Sequence, residues 1–215
     1  MSTRIDHFMY AVSSLDEGIA WAADTFGVEP AYGGEHIGLG TRNALLSLGE
    51  TYLEIIAPDP AQPLEGNTGE RFANLNQGGL VTWAVQGNLA EIARILGDQG
   101  TETIGPNRTE RKTADGDLLV WELLFPARSP YGARMPFFID WLECAHPSNT
   151  NPTGGSFQGI NITVPNADGL RADLSVIGLD LSVTEGEPHL SIDIETSKGS
   201  VTLASTAETT DISMR

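Results

Sequence analysis

The sequence predicts an α+β protein made of three βαβββ modules, the third of them smaller and at the C-terminal end. Three observations lead there. The order strand, capped amphipathic helix, then three strand-like runs occurs three times along the chain. The copies lie about 74 and 79 residues apart, a spacing of repeated domains rather than of a short-repeat solenoid. With 215 residues, 40% of them apolar, the chain has material for a substantial core.

In the first copy, His7–Val12 alternates as a strand. Ser14 and Glu17 have the spacing of a capping box, and Ile19, Ala22, Ala23 and Phe26 share one helical face that Gly27 terminates. Strands are expected at Glu29–Glu35, Asn43–Leu48 and Tyr52–Ala57. The second copy starts with Leu80–Val85; Asn88 and Glu91 repeat the cap spacing, Leu89, Ile92, Ala93 and Leu96 line a helix, and Gly97 and Gly100 end it. Its strands are expected at Asn107–Lys112, Leu118–Phe125 and Pro136–Trp141, with Asp115-Gly116 as a hairpin turn. The third copy has Gly159–Val164 as strand, Asp168 as cap, Leu170, Leu174 and Ile177 as the helix face, and Gly178 as its stop. Leu181–Thr184, Leu190–Ile194 and Val201–Ala204 are its later strands. The run from Pro147 to Gly155 is polar and rich in turn formers and reads as a linker. The expected organisation is a paired-module domain over residues 1–148 (modules about 1–60 and 78–145) and a third module over 156–215.

A net charge of −17, from 29 acidic and 12 basic residues, argues against nucleic acid and anionic membrane as partners. The single Cys144 excludes an intramolecular disulfide and an all-cysteine zinc site. Neither a signal peptide nor a membrane-length apolar run is visible, so a cytoplasmic protein is expected, as a monomer or a homodimer. The HExxH, Walker A, GxGxxG and GxSxG patterns are absent.

Candidate site residues stand out by cost. Glu54 sits in the apolar run Tyr52–Ala57, where a carboxylate must be paired, protonated or metal-bound. Either His7, at the start of the first strand, completes a metal pair with it, or Glu54 forms a salt bridge to Arg134 or Arg42. Glu122, between Trp121 and Leu123, reads as a general base, a replacement ligand or a hydrogen-bonded structural group. Among the aromatic residues, Trp83 and Trp141 are assigned to the core, and Tyr52 and Phe138 to a pocket. His36 and His189 read as surface residues, and His146 as part of a structural loop.

Ile5-Asp6-His7-Phe8 with Ala11-Val12 and Leu15-Asp16, then Tyr52-Leu53-Glu54-Ile55-Ile56, and Pro136 to Trp141 with His146-Pro147, resemble the vicinal oxygen chelate superfamily, in particular its glyoxalase-like branch. The resemblance implies that two of the modules pair to form a cupped mixed sheet around a divalent metal, with ligands from the first and last strand of each. His7 and Glu54 match the first module's positions, and Asp140 takes the place of Glu54 in the second. The strand Leu80–Val85 departs from the pattern, since Leu80 or Val81 stands where a fourth ligand would be. One His and two carboxylates would suit Mn, Zn, Fe, Ni or Mg acting as a Lewis acid. The activity so implied is a metal-dependent lyase or isomerase acting on a small oxygenated or carbonyl compound, with Glu54 or Glu122 as base. The alternative is a metal-free protein that binds or sequesters a small molecule, as bleomycin-resistance members do.

Overall fold

A computed structural model describes residues 2–112, 118–210 and 212. The first module runs β1 (Arg4–Ala11), α1 (Leu15–Phe26), β2 (Ala31–His36), β3 (Thr41–Ser47) and β4 (Tyr52–Pro58). A short helix α2 (Thr68–Phe72), which the sequence reading did not anticipate, leads to the second module: β5 (Gly79–Gln86), α3 (Leu89–Asp98), β6 (Thr103–Lys112), β7 (Leu118–Pro126) and β8 (Phe137–Asp140). The third comprises β9 (Ser156–Val164), α4 (Ala167–Val176), β10 (Val183–Glu185), β11 (His189–Thr196) and β12 (Gly199–Ala204).

The local signals explain most boundaries. Ser14 and Asn88 cap α1 and α3 by accepting from the backbone N–H of Glu17 and Glu91. Gly27 closes α1 in the left-handed region at φ 75°. On α4 the cap is Asn166, which accepts from Gly169 N at 3.1 Å, and not Asp168, whose carboxylate in the first turn pairs with Arg171 instead. The Asp115-Gly116 turn lies outside the described residues, but β6 and β7 pair up to Lys112 opposite Leu118 beside it.

Eight strands form one curled sheet in the order β2-β3-β4-β1-β5-β8-β7-β6. In both halves the last strand pairs parallel with the first, and β1 and β5 run antiparallel at the centre. The sheet has two faces with different tasks. Phe8, Leu53, Ile55, Trp83, Val85 and Phe138 point to the side covered by α1 and α3. Met9, Leu45, Ile56, Ala84, Trp121 and Ile139 point into the cup. The third module repeats the order of elements but not the pairing: its sheet is β10-β9-β11-β12, so the strand after the helix, not the last strand, lies parallel to the first. It packs on the covered side, where Phe157 meets Phe8 with ring centroids 5.0 Å apart.

The run from Pro147 to Gly155 begins with a 3-10 turn at Pro147–Asn149. It then lies against the end of β3, where Ser47 N donates to Pro152 O at 2.8 Å and Gly154 N donates to Ser47 O at 2.9 Å. A Cβ on Gly154 would overlap the fully buried Leu46 side chain. Gly154→Ala is therefore expected to cost about 1–3 kcal/mol through overpacking. Thermal denaturation would show this as a Tm several degrees lower; an unchanged Tm would mean that the segment gives way freely.

Candidate functional site

The cup holds a cavity of about 110 Å³. Its polar lining comes mostly from the first module, beside Thr68 on α2 and Thr109 on β6: His7 on β1, His36 at the end of β2, Thr41 and Asn43 on β3, and Tyr52 and Glu54 on β4. Strand alternation delivers the last four, as residues two apart share a face. Parallel pairing of β1 with β4 sets His7 beside Tyr52, and the two rings stack at 4.6 Å and 19°. Phe137 packs edge-on to the same imidazole at 5.4 Å, so the ring is held by aromatic neighbours.

Behind His7 lies Asp6, 0% exposed. Its Oδ1 is 2.6 Å from His7 Nδ1, and its Oδ2 receives Trp141 Nε1 at 3.0 Å and faces His146 Nε2 at 3.0 Å. Burial pushes this carboxyl up, but the hydrogen bonds and charges of His146 and His7 outweigh it and hold the group well below the usual carboxylate range. The bonding pattern assigns tautomers. Ser148 N donates to His146 Nδ1 at 3.2 Å, so His146 carries its proton on Nε2 and donates it to Asp6. His7 donates from Nδ1, which leaves Nε2 facing the cavity.

Glu54, 6% exposed, stands in front of that nitrogen. Its Oε2 is 3.5 Å from His7 Nε2. Asn43 Nδ2 donates to Oε1 at 2.6 Å and also approaches His36 Nε2 at 3.3 Å, while His36 Nε2 lies 3.7 Å from the same oxygen. Asn43 thus fixes one carboxylate oxygen and turns the other toward His7. The salt bridge considered for Glu54 is replaced by this arrangement: Arg42 faces Asp16 at 3.7 Å and Arg134 Nη1 donates to Thr210 O at 2.6 Å.

Apart from Thr109, the other half of the cup is apolar and aromatic. Trp121, Leu123 and Phe125 on β7, Phe137 and Ile139 on β8, and Trp141 just beyond it line the wall. The structure brings His7, Glu54 and Tyr52 together and does not bring Asp140, Phe138 or Glu122 to them. Phe138 is fully buried on the helix-covered side. Asp140 pairs across the sheet with Glu122, and its Oδ1 accepts from Leu142 N at 2.9 Å. The parallel between Phe138-Ile139-Asp140 and Tyr52-Leu53-Glu54 is one residue out of phase with the sheet, and a slip of one reverses every side chain. Trp141 and Trp83 are both buried in the core as expected; Trp141 also lines the cavity, and Trp83 donates to Arg134 O.

Sequence reasoning also missed Asp6, His36, Asn43 and His146. Adjacent strand residues should face opposite ways, yet Asp6 and His7 are bonded, because the pairing of β1 with β5 shifts register between Ile5 and His7. His36, at the end of a Gly-rich strand, is half-buried at the cavity rather than on the surface.

A divalent metal needs at least three converging donors in most protein sites. His7 and Glu54 supply two; His36, 3.7 Å from Glu54 Oε1, bonds Thr41 through Nδ1 and meets Asn43 through Nε2, while β5 turns Val81 and Ala84 toward the cup. Among the described residues no three His, Cys, Asp or Glu side chains are placed to share an ion. The set His7, Glu54 and Asp140 does not fit one. After incubation with Mn²⁺, Zn²⁺, Fe²⁺ or Ni²⁺ and desalting, elemental mass spectrometry is expected to find well below one equivalent bound. Stoichiometric metal that disappears in His7→Ala with Glu54→Ala would reverse this expectation.

A glyoxalase-like fold with a site on one half of the cup defines the class, and the sequence comparison agrees. The family model for the glyoxalase-like domain matches residues 5–177, and the chain belongs to that family, within the vicinal oxygen chelate superfamily. No curated protein matches it. Among solved structures, a hypothetical protein from Staphylococcus aureus aligns over 94% of this chain and 85% of its own, at TM-score 0.67 and 18% identity, a likeness of fold. Methylmalonyl-CoA epimerase from Mycobacterium tuberculosis aligns over 63% of this chain and 84% of its own, at TM-score 0.46 and 22% identity. A Streptomyces coelicolor methylmalonyl-CoA epimerase in complex with 2-nitronate-propionyl-CoA aligns over 65% and 93%, at TM-score 0.47 and 20% identity.

Proposed function

We propose that this chain is a lyase or isomerase of the glyoxalase-like type that moves a proton on a small carbonyl-bearing molecule, with Glu54 as the base. The observation that supports it most is a buried carboxylate with one oxygen fixed by Asn43 and the other 3.5 Å from His7 Nε2, at the polar side of a largely apolar cavity. A carbon acid next to a carbonyl loses its proton slowly in water because the enolate is poorly stabilised. Here Glu54 Oε2 takes the proton from carbon and later returns one to it, and the enolate oxygen formed in between accepts from His7 Nε2 when the imidazole carries a proton on both nitrogens. Asp6 orients the imidazole through Nδ1. No step runs through a metal. On this reading residues 1–148 carry the site, and 156–215 brace the sheet from behind.

The test is solvent exchange. Candidate ketones and aldehydes are incubated with the protein in D₂O, and deuterium at the carbon next to the carbonyl is followed by NMR. Catalysed incorporation supports the proposal; tight binding without incorporation overturns it. That second outcome would support sequestration without chemistry, a reading favoured by the apolar half of the cup, which offers packing and no reactive group.

A further inference from the structure

We infer that the ligand is an uncharged aryl carbonyl compound: one aromatic ring, one oxygen head and no carboxylate or phosphate. The inference rests on the proton-transfer reading for where the oxygen sits, and on the cavity for the rest.

The two parts of the lining make different demands. Glu54, His7 and Asn43 supply the polar part of the lining, and Trp121, Phe125 and Phe137 an aromatic part that reaches the His7 imidazole at Phe137, 5.4 Å away. Phe125 and Phe137 stack at 5.4 Å and 20°, and Trp121 leans on Trp141 at 5.5 Å and 42°, two ring pairs that line the same cavity. The indole N–H of Trp141 is committed to Asp6 and offers the ligand nothing polar. A body that packs against this wall gains dispersion and ring contacts over and above the area it buries.

Charge narrows the class. The lining includes no Lys or Arg among the described residues, and its one charged acid is Glu54. An anionic group entering here would leave water without a cationic partner and would face a carboxylate, which is expensive at a desolvated site. The net charge of −17 adds a long-range barrier to anions. Size narrows it again. The cavity of about 110 Å³ is only partly enclosed, so it takes one ring against the wall with its head reaching the polar side and has no room for a second ring.

The test uses three probes on the full chain: phenylacetone, its anionic counterpart phenylpyruvate, and butanone, which keeps the carbonyl and lacks the ring. Affinity is read by calorimetry, and position by the indole N–H shifts of Trp121 and Trp141 in ¹⁵N-labelled protein. Phenylacetone is expected to bind at least about tenfold more tightly than either comparator and to move the Trp121 and Trp141 signals. Equal or tighter binding of phenylpyruvate, equal binding of butanone, or no binding of phenylacetone would overturn the inference. Trp121→Leu should weaken phenylacetone several-fold, and Leu123→Arg should raise affinity for phenylpyruvate relative to phenylacetone; failure of both in folded protein would also overturn it. Deuterium exchange is read separately. Selective binding of phenylacetone without exchange keeps the ligand class and removes the proton-transfer reading, whereas exchange on butanone with no preference for the ring does the reverse.

Discussion

Glu54→Gln is expected to lower the rate of solvent deuterium incorporation by about 10²–10⁴-fold, the usual contribution of a positioned base. The substitution keeps the shape and length of the side chain. Its amide oxygen can still accept the Asn43 N–H that Oε1 now receives at 2.6 Å. What is lost is the basic oxygen facing His7 Nε2, replaced by an NH₂ group that abstracts nothing. Binding of an uncharged ligand should therefore change far less than exchange does, since the aromatic wall is untouched. Measured as kcat and KM, the loss belongs in kcat. A parallel fall in affinity would mean that Glu54 holds the ligand and does not act on it. His7→Gln makes the comparison sharper, because a glutamine can still donate toward Asp6 but cannot carry the imidazolium proton at the position of Nε2. If Glu54→Gln retains full exchange, the base lies elsewhere and the reading of the site fails.

The modules could be recognised from the chain because each is built from local signals that agree: a capped helix, its glycine stop, and alternating runs on either side. Ser14, Gly27 and Asn88 do in the structure what their spacing promised. Asn166 was passed over for Asp168, since both are cap formers two positions apart; Asn166 lies just before the helix, and Asp168 is already inside its first turn. Tyr52 and Glu54 were legible as a pair on one face. The second half of the cup was not, because its carry-over depended on register, and register is a property of pairing between strands. Phe137 aligns with Ala84, which faces the cup, so the odd-numbered residues of β8 face it too. Nothing within Phe137–Asp140 itself carries that information. The Asp6–His146 contact joins residues 140 apart in sequence and was invisible for the same reason.

Removing the charge of Asp6 is expected to produce the largest loss of stability. The carboxylate meets three donors from three places: His7 on β1, Trp141 after β8 and His146 before the turn at Pro147–Asn149. It thereby ties the first module to the second and to the segment that leads into the third. In Asp6→Asn one oxygen becomes an NH₂ group, so the donor that met that oxygen loses its acceptor in a fully buried site. Breaking a buried, hydrogen-bonded charge in this way costs about 3–5 kcal/mol. Urea denaturation at neutral pH should show it as a lower midpoint with little change in slope. The pH dependence distinguishes the charge from simple packing. The folded-state pKa of Asp6 is depressed, so its contribution is present in full above the unfolded value of about 3.9 and is lost as pH falls below that toward the folded value. The gap between wild type and Asp6→Asn should therefore be widest near neutrality and shrink below about pH 4. A gap that stays constant down to pH 3 would assign the loss to shape rather than charge. Asp6→Asn should also alter the imidazole ¹⁵N shifts of His7 and His146 together, because one carboxylate sets both tautomers. If only one of the two rings responds, the carboxylate does not couple them.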